Sequence, residues 1–200
     1  MSIWNARYAG EHYHFGTEPN AFLVHQKHLL IAGMQALAIA DGEGRNGVWL
    51  AQQGLQVMSV DSSDVALDKA RKLARQRGVE MQCELADLLQ WDWGVARYDL
   101  VVGIFIQFAP PHVREQMFEH IKQCLKPGGV LLLQGYAPRQ IEYKTGGPAQ
   151  VENLYTVALL RSAFADMEIL QLREHDEVIE EGSGHSGMSA LVDLVARKPR

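Results

Sequence analysis

The sequence predicts an α/β fold, a mostly parallel seven-stranded sheet with helices on both faces and an antiparallel C-terminal strand. Three observations carry the prediction. From residue 35 to residue 136, apolar runs of strand length alternate with amphipathic runs of helix length, as in βαβ units. "YDLVVGIFI", residues 98–106, is more continuously apolar than the alternating runs, as a central parallel strand covered on both faces is. A glycine turn, "ADGEG" at residues 40–44, stands where the first strand meets a helix.

Taken in order, residues 1–24 are aromatic and turn-rich, with Trp4, Tyr8, Tyr13 and Phe15 among Gly10, Gly16 and Pro19. They are too polar and punctuated for a simple core element. A helix is expected over 22–34, a strand over 35–40, a helix over 44–53 ended by Gly54, and a strand over 55–60. "DSSDVALDKARKLARQRG", residues 61–78, reads as a capped helix. Ser62 or Ser63 can accept its first free backbone donors. Leu67, Ala70, Leu73 and Ala74 share one face, and Asp68 and Lys72 form an i,i+4 pair. Val79, Met81, Cys83 and Leu85 alternate as in a strand. A helix follows over 111–125, with Val113, Met117, Ile121 and Leu125 as its buried stripe; "KPGG" stops it, and "VLLLQGY" is a strand. Residues 137–153 read as loop, 153–164 as helix, and 167–175 and 190–197 as strands able to pair antiparallel across "DEVIEEGSGHSGMS".

Composition sets limits. The chain has 200 residues, 47% apolar and 22% charged, enough for one globular domain over 1–200 with a real core. A net charge of -5 gives no general attraction for nucleic acid or an anionic membrane. There is no basic stripe, and Pro110–Pro111 is more simply a helix start. Cys83 and Cys124 lie in expected buried elements without CxxC spacing, which fits a reduced cytoplasmic protein. The first residues lack the apolar core of a secretion signal, and no run of 18 apolar residues suggests a membrane span. His25 and His28 can share a helix face, but no third ligand is visible and no metal is expected. Nothing in the sequence sets the oligomeric state.

The glycine turn is the main candidate site. Glycine permits positive φ and close backbone approach. Donors at a helix start can hold a polar or anionic ligand. Asp61 follows Gly44 by 17 residues, at the end of the next strand, where a carboxylate can accept both hydroxyls of a ribose. A tight strand–helix turn with an N-terminal cap would also explain these residues. Asp41 and Glu43 flank Gly42 and would repel a pyrophosphate, with Arg45 a partial offset. A cofactor carrying a sulfonium and an ammonium fits better, which favours S-adenosylmethionine. A nicotinamide-dependent oxidoreductase is an alternative enzyme reading, and a non-catalytic S-adenosylmethionine-binding or interaction module is a further one.

Several segments in order resemble the motifs of class I S-adenosylmethionine-dependent methyltransferases. They are "ALAIADGEGRNGVWLAQQG", "VMSVDSS", "CELADLLQW", "YDLVVGIFIQF" and "LKPGGVLLL". More narrowly, the chain resembles the small tellurite-resistance and thiopurine methyltransferase-like enzymes. The resemblance implies a three-layer Rossmann-like methyltransferase fold and methyl transfer to a small molecule such as a thiol, selenium or tellurium compound. By position it implies that Gly42, Glu43, Gly44 and Asn46 form the cofactor turn, and that Asp61 binds the ribose. Ser62 would lie beneath the adenine, Asp87 would accept from its amino group, Leu88 would cover it, and Ile104 and Phe105 would lie by the methionine part. Family members often carry an acid ahead of the first glycine; this chain has Ala38 and Ala40. Asp41, Glu43 or backbone oxygens are the candidate replacements.

Two outlying segments add candidates. Residues 1–24 resemble the family's closing segment and can act as lid, anchor or both. Tyr13 and Phe15 can cover a sulfonium, Tyr8 can line the acceptor side, and Asn20 can bind the cofactor carboxylate or cap the next helix. Arg7 is a candidate for a negatively charged group. His185, among Gly182, Gly184 and Gly187, can relay a substrate proton or hold its loop. Tyr136, Arg139 and Tyr143 are candidate acceptor contacts.

Overall fold

The structure is a computed structural model that describes residues 3–200. Its elements are α1 (Ile3–Tyr8), α2 (Ala21–His25), β1 (Gln35–Ile39), α3 (Arg45–Gln52), β2 (Gln56–Asp61), α4 (Asp64–Gln76), β3 (Gln82–Leu85), β4 (Tyr98–Ile104), α5 (Pro111–Cys124), β5 (Leu125–Tyr136), α6 (Gln140–Tyr143), α7 (Val157–Ala163), β6 (Glu168–Glu181) and β7 (His185–Arg197). The strands form one seven-stranded sheet in the order β3-β2-β1-β4-β5-β7-β6. β1–β2, β2–β3 and β4–β5 pair in parallel, and β5–β7 antiparallel. This is the Rossmann-like methyltransferase architecture with antiparallel C-terminal strands.

The chain forms two compact units. The first ends at Trp91 and takes in Glu181–Gly184; the second comprises Asp92–Glu180 and His185–Arg200. In the first, α3 packs on β1 and β2, α4 on β2 and β3, and α1 on α4. The α4 stripe Leu67, Ala70, Leu73 and Ala74 is buried as its spacing predicts. Each such leucine contributes about 2 kcal/mol relative to exposure. Ser63, not Ser62, caps α4: its Oγ accepts from Ala66 N at 3.1 Å. In the second unit α5 packs on β5 and buries Met117, Phe118, Ile121 and Cys124. Lys198 Nζ donates to the Lys122 and Leu125 carbonyls, each at 2.7 Å, satisfying acceptors freed at that helix's end.

Several elements differ from expectation. The N-terminal segment contains a helix, α1, and Tyr8, Phe22 and Leu23 reach the core. The expected helix over 22–34 ends at His25, followed by a 3-10 turn at Lys27–Leu29. Ile31 is exposed and Gly33 has φ +89, so the apolar run there is a turn. "KPGG" lies inside β5, where pairing with β4 is irregular between Tyr98 and Leu100. α7 starts at Val157 because Thr156 caps it, accepting from Leu159 N at 3.0 Å. β6 and β7 are far longer than expected, leaving only residues 182–184 as their turn. His185 therefore opens a strand and is not in a glycine loop. Cys83 is half-buried, while Cys124 is buried and its thiol is pushed up to about 12 by desolvation.

Candidate functional site

The turn after β1 has three residues of left-handed backbone: Ala40 (φ +48), Gly42 (φ +59) and Gly44 (φ +84). Ala40 bears a strain of about 1 kcal/mol there. The two glycines have different reasons. A Cβ on Gly44 would lie 2.5 Å from the Ala70 methyl, so its role is close packing of the turn on α4. A Cβ on Gly42 would lie 2.8 Å from the Tyr8 hydroxyl, so Gly42 lets that ring come over the turn.

All three nearby carboxylates are engaged. Asp61, at the end of β2, accepts from Gly42 N at 2.8 Å and Ser63 N at 2.9 Å. Burial raises its pKa, while these amides and that of Ser62 oppose the shift. A carboxylate has about four acceptor sites, so hydroxyls of a ribose can still be accommodated. Asp41 turns its carboxylate inward, accepting from Ser59 Oγ at 3.0 Å and from Gly47 N at 3.2 and 3.3 Å. It thus caps the first turn of α3, whose own cap, Gly44, has no side chain to do so. Burial pushes its pKa up to about 7. Glu43 is buried, pairs with Lys69 at 2.7 Å and accepts from His14 N at 2.6 Å. The turn is therefore less negative than its sequence implies, and the charge argument against a pyrophosphate loses most of its force. Asp41 and Glu43 are both engaged by protein donors.

The N-terminal segment is tied to this turn. Tyr8 is 4% exposed. Burial, followed by the charges of Asp61 and Glu43, holds its phenol above the ordinary range. Tyr13 packs against Val48, Leu73 and Ala74, and its hydroxyl donates to the Lys69 carbonyl at 3.1 Å. Phe15 meets His14 edge-on at 4.6 Å. Asn20 caps α2, accepting from Leu23 N at 3.2 Å, while its own N–H donates to Asn46 Oδ1 at 2.9 Å. Asn20 Nδ2 also donates to Glu181 Oε1 at 2.9 Å, and Glu181 forms a buried 2.6 Å ion pair with Arg45. At the hairpin tip, Gly184 N donates to the His14 carbonyl at 3.2 Å. Cβ atoms on Gly182 or Gly184 would collide with His14 and Phe15. Arg7 is exposed, its guanidinium 4.8 Å from the Trp4 ring centre.

Ser62 and Asp87 are exposed beyond β2 and β3, and Leu88 is buried beside them in sequence. Asp87 accepts from Leu89 N at 3.0 Å. In the second unit, Ile104 and Phe105 end β4, and Phe105 has φ +57. Its ring stacks on Tyr136 at 4.5 Å and meets His185 edge-on at 4.5 Å. Tyr136 and His185 stand 5.6 Å apart at 85°. Three candidates separate in the sequence thus form one aromatic cluster. Arg139 and Tyr143 do not join it; both hold Asp176, at 3.1 and 3.0 Å. His25 and His28 are exposed, and no group among the described residues is arranged to hold a metal.

Sequence reasoning gave no role to His14, Lys69 or Gln107. Gln107 is buried; its amide donates to the Tyr136 and Asn153 carbonyls and its oxygen accepts from Tyr136 N at 2.6 Å. The hydrogen-bond partners of these residues lie 26 to 169 positions away, so no local pattern marks them.

The strand order is that of the class I S-adenosylmethionine-dependent methyltransferase fold. Residues 36–129 match the family model described as "Methyltransferase domain". A carboxy-S-adenosyl-L-methionine synthase of Sulfurimonas denitrificans is 24% identical over 123 residues, covering 62% of this chain and 51% of the relative. The chain thus spans about half the length of that relative. TehB of Haemophilus influenzae has a similar fold, with TM-score 0.73 and 17% identity over 90% of this chain and 62% of TehB. So does magnesium protoporphyrin IX methyltransferase of Synechocystis PCC 6803, solved with S-adenosylhomocysteine, with TM-score 0.66 and 21% identity over 89% of this chain and 78% of that one.

Proposed function

We propose that the chain is an S-adenosylmethionine-dependent methyltransferase acting on a small-molecule acceptor. The observation that carries this is Asp61 at the end of β2, bonded to the left-handed Gly42 amide at 2.8 Å. This juxtaposition supports a site in which a carboxylate accepts ribose hydroxyls beside the backbone of a left-handed turn. Gly42, Gly44 and Asp61 would hold the nucleoside, Ser62, Asp87 and Leu88 the adenine side, and Tyr8, Phe15 and Asn20 the covering segment. Glu43 and Asn46 contribute by fixing that segment, and Tyr13 by anchoring it. When bound, the cofactor supplies an activated methyl: an acceptor lone pair forms the new bond to carbon as the sulfonium–methyl bond breaks and S-adenosylhomocysteine leaves.

The acceptor is a thiol, selenium or tellurium compound. Phe105, Tyr136 and His185 support this, since aromatic edges and faces favour soft, polarisable sulfur-like atoms. A protonated acceptor would lose its proton to His185. Arg7 would attract an anionic acceptor from its exposed position. Two free thiols fit a reducing cytoplasmic setting. No helix among the described residues is long and apolar enough to cross a membrane.

A labelled-methyl screen over thiols and metalloid oxyanions tests this reading. Transfer to at least one soft acceptor is expected. Saturable binding of NAD without any binding of S-adenosylhomocysteine would sink it.

A further inference from the structure

We propose that a cluster of buried polar side chains in the second unit, Arg114, Tyr155 and Asn153, is a subsite for a carboxylate on the methyl acceptor. The inference rests on the methyltransferase reading and adds the acceptor's charge. Arg114, in the first turn of α5, is 7% exposed. Its Nη1 donates to the Glu152 carbonyl at 2.6 Å, and its Nε is buried with no partner. No described carboxylate pairs with it. Buried guanidinium groups are ordinarily matched by an anion, because removing such a charge from water costs several kcal/mol.

Two further buried residues of this unit carry an unpartnered polar atom. Tyr155 is 0% exposed and its hydroxyl has no partner. The Arg114 charge acts on that phenol, partly opposing the rise that burial causes. Asn153, next in sequence to Glu152, is 8% exposed with Oδ1 unpartnered. Reversing that amide would turn a donor to the same place. Gly135 fixes the Tyr155 ring against β5, since a Cβ there would lie 2.6 Å from the ring and 2.9 Å from the Gln107 amide carbon. Phe118 packs on the Tyr155 ring at 5.8 Å, and Tyr155 N donates to the Tyr136 carbonyl at 2.9 Å.

One guanidinium, one phenol and one reversible amide match a monoanion with two acceptor oxygens. A phosphate dianion would leave charge uncompensated. Gln107 ties the Asn153 backbone to that of Tyr136 in the aromatic cluster, because it bonds both. A small acceptor with a soft nucleophile at one end and a carboxylate at the other would use both the subsite and the aromatic cluster.

The test compares methyl transfer to mercaptoacetate and to 2-mercaptoethanol by wild type, Arg114→Met and Tyr155→Phe. Wild type should prefer mercaptoacetate. Arg114→Met should raise its KM about tenfold or more, and Tyr155→Phe roughly threefold to tenfold. In both variants kcat and the KM for 2-mercaptoethanol should stay within about twofold. If Arg114→Met fails to fold, Tyr155→Phe, which keeps the packed ring, carries the same comparison. Titrating mercaptoacetate into protein saturated with S-adenosylhomocysteine gives a readout independent of turnover. Equal KM values for the two thiols in wild type, or KM values that move together in the variants, would overturn the subsite and leave the methyltransferase reading intact. Failure to bind S-adenosylhomocysteine would instead overturn that reading.

Discussion

The two units differ in how they treat buried charge. In the first, Asp41, Glu43 and Asp61 are each held by hydrogen bonds, and Arg45 and Lys69 each have a carboxylate. These contacts hold a left-handed turn, a covering segment and a hairpin tip together. In the second, Asp193 is fully buried and matched by Gln134, Arg173 and His175, yet Arg114 has only a backbone carbonyl. The first unit uses most of its buried polar groups to hold shape, which the proposed cofactor site would need. The second leaves Arg114 Nε and the Tyr155 hydroxyl uncommitted, as the proposed acceptor subsite would need.

The largest effect expected from disturbing the first unit comes at Glu181. Glu181→Gln leaves Arg45 buried without its anion, which should cost about 3 kcal/mol. For a chain of this size that lowers the melting temperature by roughly 6–12 °C, measured by calorimetry. A loss under 1 °C would mean that the pair does not hold the hairpin tip.

A smaller, pH-dependent effect is expected at Asp41. Its folded pKa is raised from 3.8 to about 7. Below the unfolded value both states carry the proton. As pH rises from there, the unfolded chain ionises first, so this group's contribution to stability falls until the folded carboxyl also ionises near pH 7. Asp41→Asn removes that titration. The variant should therefore gain stability relative to wild type between about pH 4 and pH 7, by at most about 1.4 kcal/mol per pH unit, and the difference should level off above pH 7. Melting curves across that range decide it; a difference independent of pH contradicts the account.

The smallest effect is at Ala40. Glycine relieves its left-handed strain, less the greater freedom glycine gives the unfolded chain. Ala40→Gly should stabilise by about 0.5–1 kcal/mol in urea unfolding, and destabilisation would show that the turn does not need that conformation.

The strands at 35–40, 55–60 and 98–106 and the helix at 111–125 were legible in the sequence to within about two residues, because burial imprints a local period. The hairpin of β6 and β7 was not. Alternation fails in β6, where a largely exposed strand is not required to be apolar. The same division runs through the candidate site. Gly42, Gly44 and Asp61 announce themselves by spacing, and the structure brings the Gly42 amide to the Asp61 carboxylate. Asp41 and Glu43 looked like ligands because their partners, Ser59, Gly47, Lys69 and His14, are set by the fold. Tyr136, Phe105 and His185 come from three separate strand ends, so their cluster has no linear signature. The strain at Ala40 was visible only as a departure from a motif; its positive φ gives the departure a physical meaning.

The most direct test of the cofactor site is a titration of S-adenosylhomocysteine into wild type and Asp61→Ala, with NAD alongside. The account predicts saturable binding of S-adenosylhomocysteine to wild type, and a loss of roughly 10–100-fold in Asp61→Ala, the worth of hydrogen bonds to a charged group. Unchanged affinity in the variant, or binding of NAD alone, would contradict it.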